Sequence, residues 1–380
     1  MTRSNTILRA ARNAWALTLG DGVELFEPTP STVVSDGPHR TLRRYRRSSE
    51  PRRSSEPRRS SEPRRSSEAR RSSRVVSEAS QRVETNPILL VPPLAVSISC
   101  FDLRPGQSLA QHLLDLGFDA YVIDYGDITF ADRRMGFEDW VDEIVPDAVR
   151  RVSADHDGAD VHLIGWSLGG TLSYLTAAAH PDLPIASLTT LGTPVDYDKI
   201  PGTAFARRLG KVAGDTVMNL PAATLGGIPR HVVRLSYRAM ALQREVTKPA
   251  YIARNLHDTE ALARMESIDR FMGEMPGYPG RLYLQLSSRL MQRNELAAGV
   301  VHLNKGRAVN LADLKPPVLV IGSRNDTIAP APCVQAAEKV LTGAESVRYV
   351  EVGGSHLGMV AGPEAVSTTW PVIEEFLRGS

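Results

Sequence analysis

Two cysteines among 380 residues, Cys100 and Cys333, are too few for a disulfide framework, so a reducing compartment is expected. Long apolar runs are missing as well. None approaches the ~20 residues that span a bilayer, and "AWALTL" near the N-terminus is too short for a secretory core. A cytoplasmic protein is expected. Charge of one sign is also scarce, with 45 basic against 43 acidic residues and a formal net charge of +2. That balance gives no global field for a polyanion, and no specific nucleic-acid partner is expected. No metal or cofactor enters the reading.

What is present is a chain long enough to bury a large core, 42% hydrophobic, suited to one elaborated domain or a core with a cap. The neutral charge hides an asymmetry. From Arg46 the chain reads RRSSEP three times, then RRSSEA, then RRSS, with ten arginines against four glutamates. The remainder is net acidic. The repeat, 46–74, has almost nothing apolar to offset its ordering entropy and is expected to be disordered. Its Arg-Arg-x-Ser units resemble basophilic-kinase sites, and its arginines could touch anionic lipid or nucleic acid. An inert expansion in a tolerant loop is the preferred reading.

Residues 1–22 place Arg3, Arg9 and Arg12 among Ile7, Leu8, Ala11, Trp15 and Leu19 at mostly helical spacing. Such a helix could lie on a lipid, granule or membrane surface. Packing on its own domain is the simpler reading and is preferred. Residues 23–45 hold two strand-like runs around Asp36-Gly37, a hairpin signal. "PILLVPP" is a continuous apolar run, as in a strand buried on both faces. "SLAQHLLDLGF" then reads as a helix, "DAYVIDYG" as a strand and "FEDWVDEIVPDAVRRV" as a helix kinked at Pro146. "DVHLIGW", "SLGGTLSYLTAAAHP" and "IASLTTLGTP" continue the alternation. Apolar strands alternating with helices predict an α/β fold, an open and mostly parallel sheet covered on both faces.

Within that alternation lies "LIGWSLGG", a G-x-S-x-G pattern centred on Ser167 between a predicted strand and a predicted helix. In an α/β-hydrolase such a turn lifts a nucleophilic serine above the sheet edge. An ordinary helix N-cap serine is the competing reading. A serine hydroxyl needs a base, and this fold places an acid and then a histidine on later strand-end loops. "PPVLVIGSRNDTIAP" offers Asp326, and "SVRYVEVGGSHLGM" offers His356. Asp196, after the preceding strand, is the alternative acid. Asp326 would fix the imidazole tautomer, and His356 would take the Ser167 proton and later protonate the leaving group. An oxyanion would be held by the N–H of Leu168 and by a donor from the loop after "ILLV". Pro92 and Pro93 have no N–H, so that donor is expected at Leu94 or a near neighbour.

The chain resembles the polyhydroxyalkanoate synthase family, most of all its members with a short catalytic subunit. The resemblance rests on "LVPPLAVSISCFDLRPGQSLAQHLLDLGFDAYVIDYG", "ADRRMGFEDWVDEIV", "LTTLGTPVDY", "GRAVNLADLKPPVLVIGSRNDTIAP" and "GGSHLGMVAG". It implies an α/β-hydrolase core over 75–195 and 314–380, a helical cap over 196–313, and a triad of Ser167, Asp326 and His356. The departure is at the nucleophile, where these synthases use cysteine and this chain has serine. Cys100 and Cys333 lie elsewhere and cannot replace it. A histidine-paired thiolate exchanges acyl groups with a thioester at little cost, whereas serine forms an oxygen ester with general-base help.

The preferred expectation is therefore a serine hydrolase acting on hydrophobic acyl esters. An acyltransferase using acyl-coenzyme A is the second reading, and a non-catalytic lipid- or granule-binding protein the third. The cap segments "NLPAATLGGIP", "HVVRLSYRAMALQ" and "RFMGEMPGYPGRLYLQLSSRLM" suit an apolar lid over an acyl tunnel. Acyl length and oligomeric state, a dimer included, stay open.

Overall fold

The computed structural model describes residues 3–24, 26–47, 86–201, 227–240, 242–304 and 306–380. Most of the RRSSEP repeat and the start of the expected cap, with most of "NLPAATLGGIP", lie outside the described residues.

Eight strands form one sheet. They are β1 (Ser31–Ser35), β2 (Thr41–Tyr45), β3 (Ile88–Val91), β4 (Ala120–Asp124), β5 (Val161–Trp166), β6 (Ile185–Leu191), β7 (Val318–Ser323) and β8 (Val347–Val352). Their spatial order is β1-β2-β4-β3-β5-β6-β7-β8. The hairpin β1–β2 is antiparallel and β2 joins β4 antiparallel, while every pairing from β4 to β8 is parallel.

Successive side chains of a strand point to opposite faces, and β3 shows what that demands of a central strand. Ile88 and Leu90 pack with α2 (Leu109–Asp115) and the C-terminal helix. Leu89 and Val91 pack on the other face with α3 (Val145–Asp155) and α4 (Leu168–Ala179). All four are fully buried, so the run had to be continuously apolar. Truncating one such leucine to alanine costs about 2–5 kcal/mol.

The kink expected at Pro146 takes a different form. Residues Asp139–Ile144 make a π-helical turn, and Pro146 sits in the first turn of α3. A proline has no N–H to donate, so the wider turn upstream and a fresh helix start absorb the missing bond.

Between β6 and β7 the chain leaves the sheet and builds α5 (Arg230–Met240), α6 (Leu242–Asn255), α7 (Thr259–Gly273) and α8 (Gly280–Gln285). A hairpin of Val300–Asn304 with Arg307–Asn310 closes the excursion. No strand is foreseen there by the sequence reading, although Val301 and Leu303 are buried and Val300 and His302 exposed in strict alternation. The N-terminal helix α1 (Arg3–Leu19) rests on this excursion, with Asn13 Nδ2 donating to Leu256 O at 2.8 Å and to Thr259 Oγ1 at 3.1 Å. Among the described residues no helix is long and apolar enough to cross a membrane.

The register matters most for the site. Trp166 pairs with Leu191, Leu191 with Ile321, and Ser323 with Val352. The C-terminal ends of β5 to β8 therefore finish side by side, and the loops carrying Ser167, Asp326 and His356 leave the same sheet edge. In open α/β sheets that edge is where ligands bind.

Candidate active site

The turn from β5 into α4 is tight because glycine allows it. A Cβ on Gly165 would lie 2.6 Å from the Gly170 Cα, and one on Gly169 would run into the Val91 carbonyl oxygen. With both side chains absent, α4 seats against the ends of β3 and β5, and the chain reverses within one residue. That residue is Ser167, at φ 51° and ψ −121°. A non-glycine residue in this region stores strain on the order of 1–3 kcal/mol. The neighbours pin it: Ser167 N donates to Leu191 O at 2.8 Å, and Thr193 Oγ1 donates to Ser167 O at 3.1 Å. The Ser167 side chain makes no capping bond to α4, which removes the N-cap reading. The half-buried hydroxyl instead lines a cavity.

Asp326 and His356 meet directly. Asp326 Oδ2 lies 2.6 Å from His356 Nδ1, and its Oδ1 accepts the Ile328 and Ala329 N–H groups at 2.8 and 2.9 Å. Three contacts on a carboxylate with no exposed side-chain surface fix its plane, and the plane fixes the ring. The loop helps, since the Trp166 Nε1–H donates to His356 O at 3.1 Å and the two rings lie 5.2 Å apart. Gly192 gives the ring its space: at φ 54°, a Cβ there would sit 3.1 Å from the imidazole. Asp196 is turned elsewhere, accepting from Asn294 Nδ2 at 2.8 Å with Lys199 Nζ at 3.5 Å. Of the two acids considered, Asp326 is the one beside the imidazole.

Ser167, Leu168 and His356 line one cavity of about 290 Å³. Ile268, Phe271 and Met272 of α7 form its roof with Met275 and Tyr278, and Ile328 and Leu357 its sides. Among the described residues no hydrogen bond joins the Ser167 hydroxyl to the imidazole, and none engages the Leu168 N–H. Both groups are free to face a ligand. Leu94 is buried and does not line the cavity, but Pro93 and Val96 of the same turn do. Ala95 in that turn has φ 59°.

Neither cysteine competes. Cys100 and Cys333 are free and buried, and burial raises both thiols, Cys333 to about 12. Thiolate chemistry at neutral pH is closed to them. Among the described residues no group of three or more His, Cys, Asp or Glu converges as a metal site.

The sequence reading reaches the segment holding Phe271, Met272, Met275 and Tyr278, but it misses Arg244. That guanidinium lines the same cavity while donating to Asp269 Oδ1 at 2.8 Å and Met265 O at 3.2 Å. A lone arginine in a cap helix carries no local signal of such a position.

With the elbow, the buried carboxylate–imidazole pair and the sheet order in place, the wider comparison is decisive. The Alpha/beta hydrolase family matches residues 88–369. The chain belongs to that family. This hydrolase-family chain is similar to a poly(3-hydroxyalkanoate) polymerase subunit PhaC of Haloferax mediterranei, 25% identical over 295 residues, covering 76% of this chain and 58% of that one. It is similar to the same-named subunit of Allochromatium vinosum, 27% identical, covering 79% and 83% respectively. The chain thus spans little more than half of the first relative and most of the second. Among solved structures, an esterase RhEst1 from Rhodococcus sp. ECU1013 aligns with a TM-score of 0.42 at 17% identity, covering 77% of this chain and 90% of that one.

Proposed function

We propose that this protein is a serine hydrolase of hydrophobic acyl esters, with Ser167 as nucleophile, His356 as general base and acid, and Asp326 as the group that orients His356. The observation that carries the reading is the 2.6 Å contact between the buried Asp326 carboxylate and His356 Nδ1, with that imidazole lining the same cavity as the strained serine. With Nδ1–H committed to Asp326, the imidazole carries its lone pair on Nε2. As substrate enters, Ser167 closes on Nε2, since such contacts often tighten only in the complex. The serine oxygen attacks the ester carbonyl while its proton passes to Nε2. Charge on the carbonyl oxygen is met by the Leu168 N–H at the start of α4 and by an N–H of the turn after Pro93, Leu94 being the first available. The imidazolium protonates the departing alcohol, leaving an acyl-serine, and water repeats the sequence with His356 again as base.

The roof of Ile268, Phe271 and Met272 suits an acyl chain, while the Arg244 guanidinium on the same cavity is held by Asp269. A second reading has one specific support: the curated relatives are polymerases by name. In that reading acyl-coenzyme A loads Ser167 and a hydroxyl, not water, accepts the acyl group. Serine weighs against it, because its un-ionised hydroxyl needs general-base help at every acyl transfer, whereas a histidine-paired cysteine is already a thiolate.

A fluorophosphonate probe should label wild type and not Ser167→Ala, and a soluble acyl ester should yield free acid. Unlabelled wild-type protein refutes the catalytic serine. Polymer or acylated alcohol from acyl-coenzyme A, without free acid, moves the assignment to the transferase.

A further inference from the structure

Helix α1 raises a different question. Its periodicity predicts an apolar stripe, and a helix packed on its own domain would bury that stripe. The opposite occurs. Asn13 is buried with its amide bonded to Leu256 O and Thr259 Oγ1, and Ala10, Ala14 and Leu17 on that side are half-buried. Ile7, Leu8, Trp15 and Leu19 are 70%, 69%, 63% and 71% exposed. At 3.6 residues per turn these four, with Ala11, fall within about a third of the circumference. They make one continuous strip along the helix.

We propose that this strip is an interfacial anchor that seats the protein on an anionic lipid surface. Large apolar side chains this exposed are uncommon in a row on a water-facing helix. On the helical wheel Arg12 flanks the strip on one side, with Arg9 beyond it. No aspartate or glutamate occurs between Arg3 and Leu19. Cations rimming an apolar face match lipid phosphates around acyl chains, the arginine stems reaching outward while Trp15 sits at headgroup level. A second copy fits worse. Pairing two such strips sets Arg9 and Arg12 of each helix beside those of the other, with no carboxylate on either helix.

The anchor is joined to the cap that roofs the serine cavity. Thr259, which holds Asn13, opens α7, and Ile268 of the cavity wall lies nine residues further, about 14 Å along the same helix. A protein seated on α1 would hold that cavity close to the lipid phase. The anchoring itself is independent of the hydrolase reading.

Flotation with phosphatidylcholine vesicles, with and without a quarter phosphatidylglycerol, tests the anchor on the full chain and on Ser167→Ala alike. Wild type should float with the anionic vesicles, with a blue shift in emission that is lost in Trp15→Phe. The combined Ile7→Ser, Leu8→Ser and Trp15→Ser variant should bind at least about tenfold more weakly. All three positions are exposed, so its melting should be unchanged. Arg9→Gln and Arg12→Gln should each cost about fivefold on anionic vesicles and little on neutral ones, and salt should erase the difference. Absence of vesicle binding by wild type overturns the proposal, as does equal binding by the triple serine variant. Sedimentation showing a dimer that the same variant dissolves would assign the strip to a second copy instead.

Discussion

Replacing Asp326 by asparagine changes one oxygen into an NH2 and little else, so its outcome isolates the role of the carboxylate. In the wild type Oδ1 accepts two backbone N–H groups, from Ile328 and Ala329, and Oδ2 faces His356 Nδ1. An asparagine has one acceptor oxygen. Turning it to the backbone pair keeps two hydrogen bonds and presents NH2 to the imidazole. Turning it to the ring sets NH2 against two N–H donors. The first arrangement wins by count, at roughly 1 kcal/mol per bond. The amide then donates to Nδ1, the ring proton moves to Nε2, and no lone pair faces Ser167. Geometry survives and the tautomer is wrong. Such a change lowers turnover about ten-thousandfold, roughly 5.4 kcal/mol of transition-state stabilisation. Stability should shift far less, since shape and packing are kept. Asp196→Asn is the control, because Asp196 serves Asn294 and Lys199 instead, and its turnover should stay within about twofold. Measuring kcat/KM for a soluble ester beside urea unfolding decides the matter. An active Asp326→Asn with a dead Asp196→Asn would refute the reasoning at its root.

Three further outcomes follow from the same geometry. Ser167→Ala and His356→Ala should each abolish nearly all turnover, and the double variant should be little worse than either, as the proposed joint role of the two requires; additive losses would show that they do not cooperate. Ser167→Cys should turn over oxygen esters more slowly yet retain thioester acylation, read by mass of the acyl-enzyme; unchanged ester turnover would show that general-base help to the serine is not limiting. His162 on β5 is buried with Nδ1 2.8 Å from Ser187 Oγ, and burial lowers its pKa to about 4. The unfolded chain therefore takes up the proton first as pH falls below the ordinary histidine value of 6.5, so this stability is complete above 6.5 and drains away toward pH 4. The loss should reach about 3 kcal/mol. Urea midpoints across that range should fall more steeply for wild type than for His162→Gln, and parallel curves would remove His162 from the account.

How far the sequence alone could go depended on whether the signal was local. The elbow is local: a buried strand, a G-x-S-x-G turn and a helix start must follow one another in the chain, so Ser167 stood out at once. The choice between Asp196 and Asp326 was not local. Each lies a few residues past the end of a parallel strand, β6 or β7, and only the direction of each loop separates them. Ile328 and Ala329 hold Asp326 toward the ring, while Asn294, nearly a hundred residues away in sequence, holds Asp196 back. The cavity roof was half legible. Phe271, Met272, Met275 and Tyr278 belong to a conspicuously apolar, glycine- and proline-broken segment, whereas Arg244 reaches the same space only because α6 packs on α7 and Asp269 holds its guanidinium there.

Helix α1 marks the limit of periodicity as an argument. A hydrophobic stripe in sequence says that one face differs from the other, and the usual inference is that water is kept from the apolar one. Packing is decided by what the rest of the chain offers. Here the cap offers a carbonyl at Leu256 and a hydroxyl at Thr259, and Asn13 satisfies both. The small side chains of Ala10 and Ala14 let the polar side of the helix approach closely, and the large apolar side is left outward. Burying the stripe instead would mean rotating the helix, stranding the Asn13 amide and turning Trp15 inward. The sequence holds both options. Only the fold distinguishes a helix that completes a core from one that carries an uncovered face to another surface.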